Sequence, residues 1–319
     1  MGAEGRETMG ADQRGTATVR PFRVAAVQAT PAFLDREATI AKGCALIARA
    51  GAEGARLIAF PEVWVAGYPV WLDLAPGAAL WDHPPAKRAY ARLVASAVRV
   101  PGPETARLGA AARAAGAYVV IGVHELAGST LYCSLLYFGP DGALLGVHRK
   151  LLPTYQERLL WGQGDGRGLL VLGTPLGRLG GLLCWEHWMP LARQALHERG
   201  ETLHVAAWPW VHELHQVASR GYAFEGRAFV VAAGTVLRKR DLPDDLELLR
   251  AIPGEPDDFL QRGGSAIIGP DGGYLAGPVW EEEAIVYAEV DPARIIEERL
   301  TLDVAGHYSR PDVFQFRVV

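Results

Sequence analysis

Short apolar runs alternate along the chain with longer segments in which hydrophobic residues recur at helical spacing. Phe22-Arg-Val-Ala-Ala-Val-Gln28 and Arg56-Leu-Ile-Ala-Phe60 have the length and composition of strands, and they flank a helical pattern from Ala38 to Ala50. Helical spacing returns at Ala86 to Val98 and at Thr105 to Ala115, where Pro103 and Glu104 open the second segment and Gly116 closes it as a C-cap. A strand, Tyr118 to Val123, follows. Such strand and helix alternation predicts an α/β fold.

Two later segments share one plan. Leu135-Leu-Tyr-Phe-Gly-Pro-Asp-Gly142-Ala-Leu-Leu and Ala266-Ile-Ile-Gly-Pro-Asp-Gly272-Gly-Tyr-Leu each place a Gly-Pro-Asp-Gly turn between apolar strands. Pro at the second position and Gly at the fourth fit a type I turn, so both read as hairpins. The repetition fits two similar halves that each contribute a sheet, and it also fits chance recurrence of a common turn. The acidic stretch Asp241 to Asp258, with prolines at 243, 253 and 256, breaks the pattern and reads as a surface excursion, either a lid or an insertion.

Composition narrows the class. With 319 residues, 50% of them hydrophobic, the chain can bury a sizeable core. No apolar run approaches the roughly 18 to 20 residues of a membrane helix, so no membrane partner is expected. Residues 1–20 lack the apolar stretch of a signal peptide and read as a disordered tail before a single domain over 21–319. Three widely spaced cysteines, Cys44, Cys133 and Cys184, suit neither a disulfide framework nor a zinc site; reduced thiols in a cytoplasmic protein are expected. A net charge of -4 with scattered Lys and Arg leaves no basic stripe for a nucleic acid.

Three segments set a polar, reactive residue just after an apolar strand, where side chains gather around a cleft in α/β folds. Glu62 follows Phe60-Pro61; a lone acid there is usually solvated, but Val63, Trp64, Val65 and Tyr68 would surround it with an apolar wall that raises its pKa toward that of a general base. Lys150 ends Leu144-Leu-Gly-Val-His-Arg-Lys150, a position commonly occupied by solvent-facing lysines. Cys184 ends Leu179-Gly-Gly-Leu-Leu-Cys184 and precedes Trp185-Glu-His-Trp-Met-Pro190, after which a helix begins. A cysteine on an apolar strand is commonly core filler, yet at a strand-to-helix elbow exposed backbone N–H groups would favour a thiolate and could hold an oxyanion. Cys44, on an amphipathic helix, and Cys133, in a strand, read as packing.

The trio makes chemical sense together. Transfer of a proton from Cys to Glu is uphill by roughly four pK units, or about 5 to 6 kcal/mol, at reference values. Burial of the acid and a nearby ammonium close that gap. Rival motifs are weaker: Gly162-Gln-Gly-Asp-Gly-Arg-Gly168 lacks dinucleotide-site spacing, and His204, His212 and His215 match no metal geometry and read as packing or surface histidines. No metal or organic cofactor is expected.

Taken in order, these segments resemble the nitrilase superfamily of carbon-nitrogen hydrolases, whose catalytic set is Glu, Lys and Cys in that chain order. The resemblance runs from Phe22 to about Val313. It is carried by Phe60-Pro-Glu62 with Gly67-Tyr-Pro69, by His148-Arg-Lys150-Leu-Leu-Pro-Thr154 with Glu157-Arg158 and Trp161-Gly-Gln-Gly-Asp165, by Cys184-Trp-Glu-His187, and by Gly306-His-Tyr-Ser-Arg-Pro-Asp312. Trp followed by Glu directly after the cysteine resembles the nitrilase branch in particular.

The resemblance implies a four-layer α-β-β-α sandwich, one domain of two pseudo-symmetric halves. It implies pairing through a helical surface containing the segment after Cys184, as a homodimer or a higher homo-oligomer. Glu157 would be a second carboxylate orienting Lys150 or the substrate, and Tyr68, Thr154, Trp161, Trp185, Trp188, Trp208 and Pro209 would wall a pocket suited to a flat or bulky nitrile. His187 stands where many relatives have Asn, a variant associated with nitrile class and with acid versus amide output. The implied reaction converts an organic nitrile to the carboxylic acid and ammonia through a thioimidate and a thioester, with amide as a by-product. An amidase of the same superfamily and a catalytically silent binding member are the alternatives.

Overall fold

The computed structural model describes residues 20–319. The tail expected at 1–20 therefore falls, Arg20 apart, outside the described residues. Thirteen strands follow in chain order: β1 (Phe22–Gln28), β2 (Ala55–Ala59), β3 (Tyr118–Ala127), β4 (Thr130–Phe138), β5 (Leu144–Arg149), β6 (Val171–Thr174), β7 (Gly177–Leu183), β8 (Leu203–Ala207), β9 (Phe229–Ala233), β10 (Val236–Arg238), β11 (Phe259–Ile268), β12 (Tyr274–Trp280) and β13 (Ala284–Val290). The helices are α1 (Arg36–Ala52), α2 (Trp71–Leu74), α3 (Pro84–Ala95), α4 (Pro103–Ala115), α5 (Pro190–Glu198), α6 (Glu213–Gly226), α7 (Glu247–Arg250) and α8 (Ala293–Glu298).

Alternation along the strands builds the layers. On β1, Val24 and Ala26 enter a core shared with Leu179, Leu183, Val205 and Val231 of the opposite sheet, while Ala25 and Val27 turn outward onto Ile40, Ile47 and Leu108 of α1 and α4. The second sheet does the same, with Leu182, Ala206 and Val230 facing Ala195, Leu196 and Tyr222 of α5 and α6. Strands buried on both faces read as continuous apolar runs. The result is the α-β-β-α sandwich.

Helix ends follow local chemistry. The Asp35 carboxylate accepts from the Ala38 N–H at 3.0 Å to cap α1, Pro103 opens α4, and Gly116 ends it in the left-handed region at φ 61°. The helical pattern read over 86–98 stops at Ala95, and Val98 instead bridges Glu125.

The two sheets repeat one plan. The first runs β13-β1-β2-β3-β4-β5, with β1, β2 and β3 parallel and the remaining pairings antiparallel. The second runs β6-β7-β8-β9-β11-β12, with β7, β8 and β9 parallel and the rest antiparallel, and β10 completes its edge against β11. Both Gly-Pro-Asp-Gly turns join equivalent strand pairs, each closed by an N–H to carbonyl bond of 2.9 Å from the fourth residue to the first. The internal repeat is thus architectural.

Residues 241–258 run largely along the surface, as expected, but four apolar side chains pin the segment to the protein. Leu246, Leu248, Leu249 and Ile252 are buried in the central core, and Asp245 and Glu247 pair with Arg92 and Arg88 of α3. Leu248 and Leu249 on the short helix α7, with Leu246 and Ile252 just beyond its ends, anchor the segment. Among the described residues, no helix is long and apolar enough to cross a membrane.

Candidate active site

Parallel strands of both halves end on the same side of the sandwich, and the loops leaving them meet there. Glu62 lies in the loop after β2. Its N–H donates to the Trp208 carbonyl at 3.2 Å, across to the other half, and its side chain has no solvent exposure. The loop lies tight against β3: a Cβ on Gly122 would come within 2.4 Å of both the Pro61 carbonyl and the Val63 amide, so only glycine fits there.

Lys150 follows β5 and is equally buried. Its Nζ donates to Glu62 Oε1 and to Glu157 Oε2, both at 2.7 Å. Glu157 sits in a 3₁₀ turn over Tyr155–Leu159, where the Thr154 N–H donates to Oε2 at 2.7 Å and the Tyr68 hydroxyl to Oε1 at 2.9 Å. Burial alone would lower the Lys150 pKa, but the two carboxylates outweigh it and hold the ammonium well above its ordinary value. Burial pushes Glu62 up to about 7; Lys150 pulls against that rise and Glu157 adds to it. One oxygen of Glu62, Oε2, has no partner.

Cys184 leaves β7 at φ 46°, a left-handed conformation that costs a non-glycine residue about 1–3 kcal/mol. Its sulfur lies within 4.8 Å of oxygens of both Glu62 and Glu157. Burial raises its pKa well above the thiol range and the carboxylates add to this, opposed by Lys150 and by the Trp185 backbone N–H at the sulfur. The resting group is a thiol. A nucleophile here needs a base, and Glu62 is the nearby acid whose pKa suits that task.

Glu186 binds the elbow to the lysine strand. Its Oε2 accepts from Leu183 N–H and His148 Nε2, and its Oε1 from Leu151 N–H, each at 2.8 Å. One buried carboxylate thereby ties the residues beside Cys184 to those beside Lys150. Cys133, read from sequence as packing, stands in the same cluster. Its Sγ donates to Glu62 Oε1 at 3.2 Å, because its inward-facing position on β4 meets the carboxylate and not another leucine.

A cavity of about 370 Å³ opens on Cys184 and Glu157. Tyr68, Thr154, Trp185 and Pro209 line it as expected positions, and Trp210, His212 and His215 line it as well. Three expected wall residues, Trp161, Trp188 and Trp208, do not, and neither does His187. Trp161 and Trp208 are buried behind the cleft, the first against Tyr68 and His124, the second stacked between His187 and His215 with its indole N–H on Ser219. His187 is buried beneath the Cys184 turn, and Trp188 packs beside Trp185 on the outer surface. Aromatic residues next to a motif do not reveal which side of the backbone they take.

Glu62, Glu157 and Cys184 also form the group with metal-ligand proximity among the described residues. Lys150 already places a cation between the two carboxylates. That donor set fits an ammonium in place of a metal. His204, His212 and His215 do not converge: His204 is buried against His187, while the rings of His212 and His215 meet at a tilt, their centroids 3.5 Å apart, at the cleft wall.

The carbon-nitrogen hydrolase family model matches residues 23–299. An aliphatic nitrilase of Sinorhizobium fredii (strain HH103) is 44% identical over 302 residues, 93% of this chain and 95% of that protein. A bifunctional nitrilase/nitrile hydratase, NIT4, of Oryza sativa subsp. japonica is 41% identical over 318 residues, 98% of this chain and 87% of its own length. The solved structure of a carbon-nitrogen hydrolase from Helicobacter pylori G27 superposes with a TM-score of 0.69 at 19% identity, covering 93% of this chain and 97% of that one.

Proposed function

The chain belongs to the carbon-nitrogen hydrolase family, and from that premise we propose that it is a nitrilase acting through Cys184, with Glu62 as base, Lys150 as cation and Glu157 as the group that orients the lysine. It hydrolyses organic nitriles to carboxylic acids and ammonia. The observation that carries the residue roles is the buried Glu62–Lys150–Glu157 arrangement, with both lysine contacts at 2.7 Å beside the Cys184 thiol.

In this reading Glu62 takes the thiol proton as sulfur attacks the nitrile carbon. A C–S bond forms, and the nitrogen gains the electron pair of one C–N π bond. Lys150 and the Trp185 N–H stabilise that nitrogen, and proton return from Glu62 completes a thioimidate. Water adds to the thioimidate carbon, giving a tetrahedral centre that bears OH, NH₂ and S. Loss of ammonia leaves a thioester, and a second water activated by Glu62 cleaves it to the acid and restores the thiol. Breakage of C–S in place of C–N at the tetrahedral centre releases amide, the by-product consistent with the bifunctional relatives. No step requires a metal or an organic cofactor.

The reading extends to assembly and location. A homodimer or higher homo-oligomer is supported by Leu191, Leu214, Val217 and Phe224, exposed on α5 and α6, the helical surface that follows Cys184. Light scattering that returns a monomer mass would remove that part. Three free thiols favour the cytoplasm. Paired nitriles and amides of the same carbon skeleton test the activity: ammonia and acid from the nitrile are expected, whereas ammonia from the amide alone would make the protein an amidase.

A further inference from the structure

Behind Cys184 lies a second buried chain of polar groups that the reaction above does not use. His187 Nδ1 lies 2.7 Å from the Cys184 carbonyl, His187 Nε2 lies 2.9 Å from His204 Nε2, and His204 Nδ1 lies 2.9 Å from Glu201 Oε1. The Tyr222 hydroxyl donates to Glu201 Oε2. All four side chains are buried. Gly180 of β7 leaves room for the carboxyl: a Cβ there would come within 2.1 Å of Glu201 Oε1.

Proton counting decides the state of this chain. Three hydrogen bonds link the Cys184 carbonyl to Glu201, and each needs one proton. A carbonyl only accepts, so His187 Nδ1 carries a proton and its Nε2, if the ring is neutral, accepts from His204. His204 has then spent its single proton and must accept at Nδ1. Two neutral imidazoles supply two protons, so a third is required, on Glu201 or on an imidazolium. Groups facing Glu201 are His197 from α5, Tyr222 from α6, Tyr137 from β4 and His204 from β8, and none is a lysine or arginine. Arg193, which reaches the chain at the His187 carbonyl, is engaged there and by Glu225. Burial holds His187 down at about 3 and His197 at about 4, and keeps His204 well below the ordinary imidazole value, while it pushes Glu201 up to about 8.

The chain ends on the nucleophile's own peptide unit. The Cys184 carbonyl and the Trp185 N–H belong to one planar group and point in opposite directions, so anchoring the carbonyl aims the N–H. We propose that His187, His204 and a protonated Glu201 are positioning residues that fix this peptide plane, and thereby aim the Trp185 N–H at the sulfur and at the nitrogen that gains charge. This role in the reaction rests on the nitrilase reading; the proton on Glu201 does not.

Two variants and one spectrum test it. Glu201→Gln keeps a donor for His204 and an acceptor for Tyr222, whereas Glu201→Leu keeps neither. Glu201→Leu is expected to lower kcat roughly tenfold with KM little changed, as befits misaiming one donor to a transition state, and Glu201→Gln to restore it to within about twofold of wild type. Wild type loses rate as pH rises past about 8, when Glu201 ionises and the third proton leaves, and Glu201→Gln lacks that loss. The infrared difference between wild type and Glu201→Gln at pH 6.5 (about 1.5 below that value) is expected to contain the carbonyl stretch of a protonated carboxylic acid. If Glu201→Leu fails to fold, the spectrum and the Glu201→Gln profile decide. Absence of the band, or a Glu201→Gln kcat loss of tenfold or more, overturns the proposal. Absence of nitrile turnover in wild type would sink the nitrilase reading and leave the infrared result standing.

Discussion

Ala59-Phe60-Pro61-Glu62-Val63 and Ala207-Trp208-Pro209-Trp210-Val211 leave the middle parallel strand of their respective sheets, and their backbones are bonded alike. Phe60 N–H donates to Val120 at 2.8 Å and Trp208 N–H to Ala233 at 3.0 Å; Pro61 accepts from Gly122 at 3.2 Å and Pro209 from Thr235 at 2.9 Å. The side chain after the proline breaks the likeness. In the first half it is a carboxylate, buried with a lysine delivered by β5; in the second it is an indole at the cavity wall, and the strand equivalent to β5 ends in Trp280. A repeated scaffold fixes where the chain turns, and one position per half then decides between chemistry and containment. The position that matches Lys150 holds an indole and no cation.

Removing Lys150 breaks the comparison most severely. Lys150→Met leaves Glu62 and Glu157 buried without their shared cation; a stability loss of about 3–5 kcal/mol by denaturant titration and loss of measurable turnover are expected. Glu62→Gln, which makes the first half as uncharged as the second, should cut kcat by about 10²–10⁴ with the fold intact by circular dichroism. The same residue sets an acid limb. Glu62 is protonated below about 7, so the rate falls as pH drops through that value. Its effect on stability has the opposite sense: with its folded pKa raised, the stabilisation is full below the unfolded value near 4.5 and is lost as pH rises through about 7. Thermal melts of Glu62→Gln should accordingly depend less on pH than those of wild type across that window.

Trp210→Ala tests the second half. A wall residue binds ground and transition states alike, so KM should rise about tenfold with kcat within about twofold. The smallest effect belongs to Cys133. Its thiol bond lowers the Glu62 pKa, so Cys133→Ala should move the acid limb slightly upward and Cys133→Ser, which keeps a donor, should leave it in place.

The strands, the hairpins and the three strand-end residues were legible because each depends on local pattern: alternation, turn chemistry, and a reactive side chain where an apolar run stops. Glu157 was legible only by resemblance, since a glutamate in a short turn carries no local mark of burial. Glu186 and Cys133 were not legible as site residues. Their partners lie 35 to 71 positions away, and only the packed sheets bring them together. Trp161, Trp188 and Trp208 read as walls from their proximity to motifs, while the direction of each side chain depends on turn geometry that the sequence pattern does not encode.

The most direct test of the account is to mix the enzyme with a nitrile substrate, quench in acid within a turnover, and map acyl mass by peptide mass spectrometry. Wild type is expected to carry the acyl group of the product acid on the peptide containing Cys184, and Cys184→Ala to carry none and release no ammonia. Nitrile turnover surviving in folded Cys184→Ala, or an acyl group found on Cys133 instead, would contradict it.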